Sequence, residues 1–244
     1  MLRKLILTGL GIATMLYITM FFLLRYGQNR IIFSPDSQIK STPQKYNLDY
    51  QDVWIDINQD QIHGWWIPAA EKSAPALLYF HGNGSNNGDL IEIAALFHSL
   101  GVSLLFIDYR GYGKSSPIFP NETRVYEDAE ASWQYLTTEL QTPPQQAFVY
   151  GHSLGGAIAI ELATKHPDMG GLITEGTFTS MTDMASLSLA ASEPKQLAVI
   201  LQANHNNLPE FGGEQYLLTL KQFIQSAQSS QITTIVNTTK IQCQ

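Results

Sequence analysis

Gly151-His152-Ser153-Leu154-Gly155 lies where a short apolar run, Ala147-Phe148-Val149-Tyr150, gives way to the helical pattern of Leu154 to Lys165. A serine flanked at both second neighbours by glycine at a strand-to-helix junction is the G-x-S-x-G nucleophile elbow. The turn is so tight that side chains two residues either side of Ser153 would collide, which explains the glycines. The helix beginning beneath the serine turns unpaired backbone N–H groups toward any oxyanion that forms there.

The rest of the chain supplies the matching alternation. Tyr46 to Ile57 and Gln61 to Pro68 read as an antiparallel pair joined at Asn58-Gln59-Asp60. Ala76–Phe80, Val102–Ile107, Ala147–Tyr150 and Gly171–Thr174 are short apolar runs that each end in turn residues, as buried strands do. Between them, Asp89–Leu100, Asn121–Leu140 and Leu154–Lys165 carry helical patterns, with Asn121 a candidate cap. Gln196–Leu201 reads as the last strand and Glu214–Ile224 as the last helix, followed by a polar tail. Buried strands alternating with helices predict an α/β fold: a mostly parallel sheet with helices on both faces.

The first thirty residues are of another kind. Leu5 to Leu24 is a run of twenty uncharged residues between Arg3-Lys4 and Arg25. At helical rise it spans about 30 Å, the thickness of a bilayer core. A cleaved signal has an apolar region of roughly 7–15 residues ending in small side chains, whereas this one ends in Phe21-Phe22-Leu23-Leu24. The expectation is an uncleaved single-pass anchor, its orientation left open by positive charge on both flanks. Expected boundaries are 1–30 for the anchor, 31–45 for a linker, 46–226 for the folded domain and 227–244 for the tail. A net charge of −7 without a basic stripe argues against a nucleic-acid partner. A single cysteine, Cys243, rules out an internal disulfide or a Cys-based metal site.

Two further constellations bear on chemistry. His81-Gly82-Asn83-Gly84 follows the Ala76–Phe80 strand, where a nucleophile-elbow enzyme needs a second oxyanion donor. The N–H of Asn83 is the candidate, with that of Leu154 as its companion. The base is expected on the loop after the last strand, where His205 lies. His63 sits in the early hairpin, His98 and His166 near helix ends, and His152 inside the elbow, so they fit less well.

His81-Gly82-Asn83, the stretch Phe106 to Ser115 (F-I-D-Y-R-G-Y-G-K-S), Gly151 to Gly156 and Glu175-Gly176-Thr177-Phe178-Thr179-Ser180 together resemble the α/β-hydrolase superfamily. They are most similar to its membrane-anchored branch related to serine peptidases and esterases. The resemblance covers roughly residues 45–225. It implies a Ser–His–acid hydrolase acting on an ester, thioester or amide of a small-molecule, peptide or lipid substrate, without metal or organic cofactor.

The sequence departs from that pattern after Glu175. Only about twenty residues separate it from Gln196, too few for the strand, helix and acid-bearing loop expected there, since a βαβ unit takes about 30. One penultimate strand–helix unit is therefore expected to be missing, with the Gln196–Leu201 strand pairing directly beside Leu172–Thr174. His205 would then move inward by about 4.8 Å. Glu175, at the end of its strand, is the remaining acid candidate; Asp183 reads as a helix start. The rival expectation is a catalytically impaired or dead relative that acts as a binding or scaffold protein, or the remnant of an internal deletion.

Overall fold

The computed structural model describes residues 1–177, 195–196, 208–229 and 233–236. It divides into two units, Met1–Ser34 and Pro35–Gln244. The first is a single helix, α1 (Leu2–Ile32), whose apolar side chains are exposed from Ile6 to Ile32. Its stretch Ile6–Ile32 is long and apolar enough to cross a bilayer.

The second unit is built on one sheet. Its strands are β1 (Gln51–Ile57), β2 (Asp60–Ile67), β3 (Ala76–Phe80), β4 (Ser103–Asp108), β5 (Ala147–His152), β6 (Gly171–Glu175), β7 (Lys195–Gln196) and β8 (Thr233–Val236). Their spatial order is β1-β2-β4-β3-β5-β6-β8-β7. The β1–β2 hairpin attaches antiparallel to β4, and the ladders from β4 onward are parallel. Strands β3, β4 and β6 are buried at every position, as parallel strands covered on both faces must be.

One face carries α2 (Ile91–His98) and α5 (Leu208–Ser229, kinked at Gly213). Phe97 of α2 and Tyr216, Leu220 and Phe223 of α5 close over Tyr79, Phe106, Phe148, Tyr150 and Ile173 of the sheet. Tyr79 stacks on both Phe106 and Tyr150, with ring centroids 4.6 and 5.0 Å apart. On the other face α3 (Glu122–Gln134) and α4 (Leu154–Lys165) bury Val125, Ala129 and Trp133, and Ile158, Ala159 and Leu162. Asn121 caps α3 through its side chain, accepting from the Arg124 N–H at 2.9 Å.

Three sequence expectations change. The strand beside β6 is the C-terminal β8, and among the described residues Lys195–Gln196 pairs outside it rather than with Leu172–Thr174; residues 197–201 lie outside the described residues. The stretch expected to be a polar tail contains β8, because Thr233-Thr234-Ile235-Val236 is a β-branched run of the kind that fits a pleated ladder. Within the expected linker, residues 36–40 are hydrogen-bonded into the body: the Asn86 amide donates to the carbonyls of Asp36 and Gln38.

Candidate active site

Ser153 stands between β5 and α4 with φ 53° and ψ −113°, a backbone conformation that costs a non-glycine residue about 1–3 kcal/mol. What over-determines it is close packing of backbone on backbone. A Cβ on Gly151 would lie 2.5 Å from Gly156 Cα, and one on Gly155 would lie 2.5 Å from the Phe80 carbonyl carbon. One on Gly156 would strike the Thr177 side chain. The Ser153 N–H donates to the Glu175 carbonyl at 2.8 Å, and the Ser153 carbonyl accepts from Gly156 at 3.0 Å. Leu154 is the first residue of α4, so its N–H belongs to the turn that has no intrahelical acceptor.

The loop after β3 closes on the serine from the other side. A Cβ on Gly82 would sit 3.4 Å from Ser153 Cβ and 2.9 Å from His152 Nδ1, so a side chain there would have to displace the His152 ring. Asn83 follows at the exposed tip. The turn after β4 supports this loop at three points. Tyr109 Oη donates to the His81 carbonyl at 3.0 Å, and Tyr112 Oη donates to Asn83 Oδ1 at 2.9 Å. Asp108 Oδ1 accepts the Asn87 N–H at 2.8 Å and lies 3.6 Å from His81 Nε2. His81 is fully buried; burial holds its imidazole below the ordinary histidine range, against the charge of Asp108. The turn is pinned in turn by Arg110, whose Nε donates to Asp128 Oδ1 at 2.6 Å and whose Nη2 donates to Glu127 at 2.6 Å.

Glu175 is paired in register with His152 and buried beneath the elbow. Its carboxylate accepts from Tyr150 Oη and, at 3.4 Å, from Tyr216 Oη of α5, while the two phenols lie 2.6 Å apart. Burial pushes the carboxyl above the ordinary range; the charge of His152 and the two phenol hydrogen bonds counter this only in part. The structure thus brings together Ser153, Leu154, the Asn83 loop and Glu175. His205 and Asp183 lie outside the described residues. Among the described residues, no three His, Cys, Asp or Glu side chains converge as metal ligands would.

The supports that the sequence did not single out are Tyr109, Tyr112 and Asn86. A Tyr-x-x-Tyr pair in a strand-end turn is the one visible signal, and it does not say which loop the hydroxyls reach.

A strained serine at a β5–α4 elbow, a glycine loop against it from β3, and a sheet of order 1-2-4-3-5-6 with helices on both faces define an α/β-hydrolase. The profile of the serine aminopeptidase, S33 family (Hydrolase_4) matches residues 71–231, and the chain belongs to that family. Among its relatives is the protein bem46 of Schizosaccharomyces pombe, 36% identical over 148 residues, or 59% of this chain and 49% of that one. Another is the lysophosphatidylserine lipase ABHD12 of Danio rerio, 32% identical over 50% of this chain and 32% of the other. The chain thus spans about half the length of bem46 and less of ABHD12. Among solved structures, the Pyrococcus furiosus esterase Pf2001 superposes with a TM-score of 0.62 at 13% identity, covering 79% of this chain and 99% of that one. At that identity the likeness concerns the fold.

Proposed function

We propose that the protein is a membrane-tethered serine hydrolase that cleaves an ester, thioester or amide through an acyl-enzyme on Ser153. The observation that carries this reading is the backbone of Ser153, held at φ 53° by glycine contacts that serve no purpose in an ordinary strand–helix turn. In the proposed reaction, Ser153 Oγ attacks the acyl carbon and its proton passes to His205. The oxyanion is held by the N–H groups of Leu154 and Asn83. The bond to the leaving group breaks as His205 returns the proton to it, and water then repeats the sequence to release the acid. Glu175 is the acid candidate of this scheme. α1 is proposed as the single-pass anchor, with no organic cofactor or metal required. The name of the Danio rerio relative, together with an apolar helix long enough to span a bilayer on the same chain, supports a lipid acyl group as the substrate class.

The test is labelling of the full chain in detergent with a fluorophosphonate probe, beside Ser153→Ala and a circular dichroism spectrum. Labelling that disappears in Ser153→Ala is expected. A folded protein that does not label would sink the enzyme reading and leave a hydrolase-shaped binding protein.

A further inference from the structure

The three residues 33–35 separate the end of α1 from a segment that makes an unusual set of contacts for a connector. The Asp36 carbonyl accepts two hydrogen bonds: from Asn86 Nδ2 at 3.1 Å and from the Gly113 N–H at 2.9 Å. Asn86 belongs to the oxyanion loop and Gly113 to the turn that supports it. A single carbonyl of the juxtamembrane segment therefore joins the two. Asn86 is fully buried and spends its other amide proton on the Gln38 carbonyl at 3.0 Å. Its Oδ1 accepts the Gly88 N–H at 2.8 Å, which shapes the loop itself. Gly88 lies so close that a Cβ there would sit 2.9 Å from the Lys40 backbone nitrogen. Ile39 packs against the hydrophobic core, and Lys40 Nζ reaches Asp89 Oδ1 at 3.1 Å. The ion pair is exposed and weak; the buried amide is the strong element, because leaving its donors unpaired carries the full desolvation cost.

We infer that residues 36–40 are a strap that positions the oxyanion loop, so that the segment leading from the membrane helix sets the geometry of the active site. The inference rests on the reading of Asn83 as an oxyanion donor. Asn86 and Ile39 are its positioning residues. Asn86 grips the strap from the loop, and Ile39 seats the strap from the side that faces the core. An oxyanion donor must meet the developing charge at hydrogen-bond distance, and a displacement of about 1 Å costs about 100-fold in rate. A loop held by a strap loses that placement when the strap is released, even though no residue of the strap touches substrate.

The experiment uses the full chain in detergent micelles and the variant Asn86→Asp. The variant keeps the acceptor for Gly88 but sets a carboxylate oxygen against two carbonyls. Backbone amide hydrogen exchange in peptides covering 36–42 and 81–90 is expected to accelerate together, each by about 10-fold or more. The fluorophosphonate labelling rate should fall by about 10-fold, and kcat on a short water-soluble ester should fall with KM unchanged. Ile39→Ala, which loosens the strap while leaving the Asn86 amide intact, should move the 81–90 exchange in the same direction. The Asn86 amide and its hydrogen bonds stay in place in that variant, although Ile39 itself lies against Gly88, so it stands in if Asn86→Asp does not fold. Faster exchange confined to 36–42, with labelling and kcat intact, would overturn the inference. If the wild-type protein does not label, the serine-hydrolase reading fails, and the coupled or uncoupled exchange of the two segments still decides the strap.

Discussion

Replacing Gly155 by alanine tests whether the elbow is fixed by backbone contact. The added methyl would strike the carbonyl oxygen of Phe80, and would lie 2.5 Å from its carbonyl carbon and 2.8 Å from the carbonyl oxygen of His81. Ordinary contact begins near 3.4 Å, so the shortfall is about 0.9 Å at the Phe80 carbon and larger at its oxygen, and every obstacle is main chain at the root of the loop after β3. No side-chain rotation relieves it; β3 and α4 must part. Overpacking of this kind costs about 1–3 kcal/mol, a fall in Tm of roughly 3–10 °C for a domain of this size. Separation by nearly 1 Å at the oxyanion loop should also lower fluorophosphonate labelling by about 100-fold. Gly156→Ala supplies the contrast, because its methyl meets the Thr177 side chain, with Thr177 Cβ at 2.8 Å. Gly156→Ala should therefore be rescued by Thr177→Gly, whereas truncating neighbouring side chains should not rescue Gly155→Ala. Thermal melts and labelling rates of the four proteins decide it. Wild-type Tm and labelling in Gly155→Ala would refute the packing argument.

Tyr112→Phe removes the hydroxyl that donates to Asn83 Oδ1 at 2.9 Å while keeping the buried ring. Labelling should slow by about 5- to 10-fold, the worth of one hydrogen bond of about 1 kcal/mol, and an unchanged rate would remove Tyr112 from the support of the loop. Glu175→Gln separates two roles of one residue. Burial raises the native carboxyl above its unfolded value near 4.5, so the folded state binds the proton more tightly. The wild-type protein therefore loses stability as pH rises from about 4.5 through the folded value, and the glutamine variant does not. The Tm of Glu175→Gln relative to wild type should accordingly climb across that window, and a pH-independent difference would contradict the sign. If Glu175 is the catalytic acid, turnover of the variant falls by about 10⁴; turnover within a few-fold of wild type would exclude that role.

The elements legible in the sequence were those whose pattern is local. The buried runs that became β3 to β6 are short and apolar between turn residues. The α3 start is legible in Asn121, whose cap requires no tertiary partner. The elbow was legible because its glycines answer to a clash between residues four and five apart in the chain, Gly151 with Gly155 and Gly156. The supports of the site were not legible, since their meaning lies in partners 28 to 50 residues away: Tyr109 with His81, Tyr112 with Asn83 and Asn86 with Asp36. Asp36 contributes through its carbonyl, which every residue type possesses, so no side-chain pattern could have marked it. The strand β8 was missed for a different reason. The polar residues around Thr233–Val236 lowered the apolar count, and its β-branched character was the overlooked signal.

The order β6-β8-β7 divides the proposed site at the end of β6. The half that carries Ser153 is made of β3, β4, β5, β6 and the start of α4, all before residue 178 and locked together by backbone contacts. Chain beyond that point returns to the elbow through α5, whose Tyr216 donates to the carboxylate of Glu175, while the Glu175 carbonyl holds the Ser153 N–H. Glu175 therefore stands where the two halves meet, its main chain holding Ser153 and its side chain held by a helix from the later half. A carboxylate bound by two phenols stabilises an imidazolium by its charge only if it remains ionised, and burial works against ionisation. The acid role and the positioning role thus make opposite demands on the same side chain. The positioning role requires only a hydrogen-bond acceptor for Tyr150 and Tyr216, which glutamine supplies; the acid role requires the charge, which glutamine lacks.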